Sequence, residues 1–132
     1  MQIFDSITQY IPQLEKGISF AHIVREDATP NVTVLPTIEY TPLAKSIVSA
    51  FHEITGSNEK YSVANLLAIY DSSPFAEAPV TGVDVSTLDE VSILALFAAV
   101  LHMERWDNGT LYSFYYSGKL LDCLKRLKEV DR

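Results

Sequence analysis

The sequence predicts a mainly α fold of the α+β class. A single domain over residues 1–132 packs a helical bundle around a buried central helix at 87–106, with a small β-hairpin formed by 18–24 and 32–40. Three observations carry this. Apolar residues recur at helical spacing through most of the chain, which marks amphipathic helices. One stretch, Ile93 to Leu101, is apolar without a break, and a helix that is apolar all round belongs inside. Two segments near the N-terminus are instead rich in β-branched and aromatic residues and flank a polar stretch, as the arms of a hairpin do.

The composition suits such a domain. A chain of 132 residues, 48% of them hydrophobic, can bury a core of ordinary size, and this excludes a disordered tail. The unbroken apolar run is far short of the roughly 20 residues that cross a bilayer. Asp5 precedes the first lysine, Lys16, the reverse of a secretory leader, so a cytoplasmic location is expected. The lone Cys123 agrees with a reducing compartment, in which the matches Asn31-Val-Thr and Asn108-Gly-Thr to the glycosylation pattern carry no meaning. A net charge of −7 disfavours nucleic acid as a partner of the whole surface. The charge is uneven: from residue 108 onward five Lys or Arg stand against three acids, and before it fourteen acids stand against five bases.

Taken in order, Phe4, Ile7, Ile11 and Leu14 share a helical face, and Gly17 stands where a left-handed helix end favours glycine. Pro12 disfavours a helical Ile11 and removes a donor, so a kink or two short pieces are expected. The hairpin arms follow. The stretch Arg25 to Asn31 between them is too long for a tight turn, and Pro36 places the second arm at an edge or a bulge. Thr41-Pro42 reads as a helix start, with threonine as the N-cap and proline where its missing N–H is not needed. Leu43, Ile47, Ala50, Phe51 and Ile54 form the inner face of that helix, which Gly56 ends.

A shorter helix at about 62–70 is carried by Val63, Leu66, Leu67 and Tyr70. Asp71 to Ser86 has no period and holds Pro74, Pro79 and Gly82, so it reads as a loop of about sixteen residues, long for a compact domain. Ser86 and Asp89 resemble a capping box ahead of the central helix. Around that helix Ser92, Ala95, Ala99 and His102 form a small-residue stripe, while Ile93, Leu96, Phe97, Val100 and Met103 form a bulky one, so the closest helix crossing is expected along Ala95 and Ala99. Asn108-Gly109 breaks the chain before a two-turn helix at 110–117. Gly118 then separates it from a last helix at 119–130 that buries Leu120, Cys123, Leu124 and Leu127.

The run DVSTLDEVSILALFAAVLHMERWDNGTLYSFYYSGKLLDCLKRLKEVD resembles a family of small bacterial proteins grouped as a domain of unknown function. The shared pattern is Asp-Val-Ser-x-Leu-Asp, an apolar helix, Glu-Arg-aromatic-x-Asp-Gly, a short aromatic helix, Ser-Gly, then Leu-x-Arg-Leu-Lys. The likeness covers Asp84 to Asp131 and extends weakly over the first helix and Glu39-Tyr40. It implies a bacterial origin and one domain, and it implies no activity. Asn108 stands where the pattern has aspartate; either side chain can cap a helix, but a role that needs a carboxylate would be lost.

The densest ionisable set is His102, Glu104, Arg105 and Asp107. An imidazole, a carboxylate and a guanidinium could do acid–base work on an anion if they converged. Helical geometry lets only His102 and Arg105 share a side, so these two are the candidate anion site of a small enzyme or anion-binding protein. The plainer reading has Arg105 and Glu104 in ion pairs or bonded to helix-end carbonyls. His22, His52 and His102 lack ligand spacing, so no metal and no cofactor are expected. Cys123, among leucines, reads as a buried inert thiol. The glycines form no phosphate-cradling pattern.

Lys119, Lys125, Arg126, Lys128 and Arg132 could meet RNA, or could simply suit the C-terminal end of a helix dipole. In Leu111 to Tyr116, Leu111, Phe114 and Tyr115 can face the core, which leaves Tyr112 and Tyr116 one turn apart on another side. Tyrosines so placed are common at protein interfaces, although core packing also accounts for them. The leading expectation is a non-enzymatic interaction module, with a second copy or another protein as partner, that uses Tyr112, Tyr116 and Lys119. An anion site at His102 and Arg105 and RNA binding through the C-terminal helix are the alternatives.

Overall fold

A computed structural model describes residues 4–24, 37–76, 79 and 82–130. The two short pieces are observed, but Ile11 is helical and Pro12 falls in the first turn of the second piece: the first apolar face is divided between α1 (Asp5–Thr8) and α2 (Ile11–Glu15), and Phe4, Ile7, Ile11 and Leu14 are all buried. Gly17 follows with φ +72, the left-handed conformation that a glycine adopts without a Cβ penalty. Strands β1 (Ala21–Val24) and β2 (Thr37–Tyr40) then pair antiparallel, with Ala21 opposite Tyr40 and Ile23 opposite Ile38. The first arm begins later than residue 18, and residues 32–36 of the second arm lie outside the described residues. Ile18 and Ser19 are exposed and outside the ladder, and the Pro36 expectation lies outside the described residues.

Because side chains alternate across a strand, Ala21, Ile23, Ile38 and Tyr40 share one face of the hairpin and His22 and Glu39 the other. On the first face only the end at Ala21 and Tyr40 packs against the core, while Ile23 stays exposed. Phe20, just before β1, stacks flat on Tyr115 at 4.3 Å and meets Tyr40 edge-on at 5.9 Å.

Helix α3 (Pro42–Ser57) starts at Thr41, but the threonine hydroxyl does not cap it. It donates instead to the carbonyls of Ser19 and Phe20 at 2.7 and 3.0 Å and joins the helix start to the approach of β1. The buried face is Ala44, Ile47, Ala50, Phe51 and Ile54, with Leu43 half-buried. A single 3-10 turn at Glu59–Tyr61 buries Tyr61, and α4 (Val63–Asp71) begins at the N-cap Ser62, whose hydroxyl accepts from the Asn65 N–H. Residues 77, 78, 80 and 81 of the expected loop lie outside the described residues; beyond them Val83 and Val85 are buried and anchor the chain.

Helix α5 (Glu90–Glu104) is the axis, with every residue from Ile93 to Val100 buried. It is shorter than 87–106 at both ends. Asp89 is the N-cap and accepts from the Ser92 N–H at 2.8 Å, while Ser86 is turned back on Asp84, whose carboxylate takes both its N–H and its hydroxyl. At the far end the amides of Trp106 and Asp107 fold back on the Met103 carbonyl, and Trp106 is 84% exposed. The small side of α5 fronts α4, the helix with which it makes its most extensive contact among the described residues. Ser92 lies beside Ser72 and Ser73 at one end of this contact, and Ala98 and His102 beside Val63 and Ala64 at the other, so the two helices run antiparallel. Helices α6 (Thr110–Tyr116) and α7 (Lys119–Val130) complete the bundle, and α7 buries the four residues its period predicts.

Candidate functional sites

The tightest polar cluster is built on Glu104, at the last residue of α5. Its carboxylate accepts the Tyr40 hydroxyl at 2.6 Å, the Gly109 N–H at 3.0 Å and the Leu111 N–H at 2.9 Å, so a side chain of one helix caps the start of the next. The Tyr40 oxygen in turn accepts the Tyr112 N–H at 3.1 Å. Burial, and then the bond to Glu104, push the Tyr40 phenol well above the usual tyrosine range, so it stays a donor.

Asn108 extends the cluster to the hairpin. Its Oδ1 accepts the Ile38 N–H at 2.7 Å, and its amide nitrogen donates to the Ile38 carbonyl and to Glu104, both at 3.3 Å. Only an amide can accept and donate in this way, so an aspartate here would lose the donor half of these bonds. Each hydrogen-bonded group of the cluster is satisfied by a neighbour, and together the bonds tie the end of α5 to the start of α6 and to the hairpin. Glu104 therefore forms no ion pair with Arg105; it is consumed by N–H and O–H donors.

Arg105 points elsewhere. With His102 it lines a recess of about 500 Å³ between α3, α4 and α5, floored by Phe51, Leu67, Ala98 and Leu101. The shared side expected of His102 and Arg105 is thus observed, and His52 of α3 joins them. A single helical period shows which residues share a side but not which neighbouring helix faces them, and no signal within α5 pointed to His52.

Tyr112 and Tyr116 also come together, their rings stacked at 5.9 Å and 25°. Tyr116 is 76% exposed, while Tyr112 is half-buried and borders a second recess of about 410 Å³ with Ile38, Asn108, Gly109 and Thr110. Ile23, on the same hairpin face as Ile38, is 58% exposed. Lys119 lines a different recess, where it stands among Asp84, Asp122 and Glu129. The basic residues of α7 are likewise interleaved with acids. Arg126 gives its Nε–H to the Leu88 carbonyl and pairs with Glu129 at 3.1 Å, which leaves a smaller cationic face than the sequence count indicates.

Cys123 is buried and burial pushes its thiol up to about 12, so it stays protonated near neutrality. Among the described residues no group of three His, Cys, Asp or Glu could hold a metal ion, and no helix is long and apolar enough to cross a membrane.

The sequence matches the Family of unknown function (DUF6508) over residues 2–132. No curated protein and no solved structure matches the chain.

Proposed function

The chain belongs to that family of unknown function, and from the geometry of α6 and the hairpin we propose that it is a non-enzymatic, single-domain interaction module whose partner is a second copy of itself. The carrying observation is that a projecting ring and a recess sit side by side on one face. Tyr116 stands out from α6, and one turn earlier Tyr112 borders a hollow roofed by Ile38. A two-fold interface needs such a surface, because whatever one copy projects the other must receive at the same residues. Tyrosine rings bury a large area at small entropy cost, and exposed Ile23 beside Ile38 adds apolar area.

Sedimentation velocity on the full chain over a concentration series up to about 1 mM tests this, since a weaker pair would have negligible binding energy. A concentration-dependent dimer is expected, with Tyr116→Ser weakening it at least about tenfold, as for an aromatic anchor at the centre of an interface. A chain that stays monomeric throughout, or a dimer indifferent to Tyr116→Ser, overturns the reading.

A further inference from the structure

We propose that the recess between α3, α4 and α5 binds a small amphiphilic carboxylate, with the apolar chain on the floor and the carboxylate at Arg105. Two features of this recess point to that ligand class. Its floor is apolar, and its volume of about 500 Å³ falls in the range of small-molecule sites. Its polar side chains are all potential donors: Arg105, His52 and His102 line it and no Asp or Glu does. That is an unusual selection in a chain with 17 acids and a net charge of −7.

The Arg105 guanidinium has no acidic partner among the described residues, so binding would not have to break an ion pair. A carboxylate matches the two-pronged fork of one guanidinium, whereas a doubly charged phosphate would gain from a second permanent cation, and the recess has none. The end of α5 lies close by and carries the negative pole of its helix dipole. That pole amounts to about half a charge. Its exposed carbonyls at His102 and Met103 already accept the amides of Arg105, Trp106 and Asp107, so the full charge of Arg105 prevails.

Titrating the full chain with decanoate, followed by calorimetry and by backbone amide spectra of residues 63–67 and 101–105, tests the site. Decanoate should bind at one site and shift those amides. Decanol and acetate, each having only half of the required chemistry, should bind at least about tenfold more weakly, as should decanoate to Arg105→Gln, since a charge-assisted bond is worth about a factor of ten or more. Ala64→Phe places a ring in the recess from an exposed position, so the fold is retained and decanoate binding should vanish. The proposal is overturned if decanoate fails to bind, if it binds unchanged to Arg105→Gln and Ala64→Phe, or if decyl phosphate binds at least about tenfold more tightly than decanoate.

Discussion

Gly109 shows how much one residue type can carry. It sits at φ +105 before α6, and a Cβ there would lie 3.3 Å from the Ile38 side chain. Gly109→Ala therefore combines a strained backbone with a tight contact, and urea denaturation should show a loss of about 1–3 kcal/mol. Asp89 makes a second, separable case. The Ser92 N–H donated to it holds its carboxyl below the ordinary carboxylate value. A depressed acid favours the fold above its unfolded pKa, about 4, and that share is lost as pH falls through the lower folded value. Asn caps as well as Asp, so Asp89→Asn should match the parent at pH 7 yet lose less stability between pH 4 and pH 2. Asp89→Ala should cost about 1 kcal/mol already at pH 7. Denaturant midpoints measured at both ends of that window check both variants.

At the level of the helix, α5 and α7 show two ways for periodicity to be informative. In α7 the apolar residues fall on one stripe, and Leu120, Cys123, Leu124 and Leu127 are the buried set expected. In α5 the apolar residues run all round from Ile93 to Val100 with no polar face, and that identifies the central position. Ala95 and Ala99 are buried, so Ala99→Leu should overpack the interior and cost about 1–3 kcal/mol. The urea midpoint should fall with an unchanged m-value, since the surface exposed on unfolding is nearly the same.

The ends of elements were less legible, because a boundary is decided by competition between neighbouring side chains. Ser86 and Asp89 could both cap α5, and the serine is excluded only because Asp84, two residues before it, holds its hydroxyl. Thr41 is the residue before α3, as Thr41-Pro42 predicts, yet its hydroxyl bonds to carbonyls 21 and 22 residues away.

Across the whole molecule, the mainly α architecture with a small hairpin could be read from pattern alone, whereas the polar interior could not. Tyr40 and Glu104 are 64 residues apart, and neither belongs to a motif. Their pairing depends on how the hairpin lies against α6, and the packing of Phe20 on Tyr115 fixes that position. The same limit applied to the recess: His102 and Arg105 could be placed on one side of α5, but His52 reaches them only through the packing of α3.

The bonds around Glu104 also bear on how the molecule opens. The amides of Gly109 and Leu111 are held by a side chain, and the amide of Ile38 by Asn108, so three protons on two distant segments depend on one cluster. Sharing these bonds, they should open as one cooperative unit: if the hairpin lifts, the first turn of α6 should loosen with it, and deuterium exchange should reach all three at one rate.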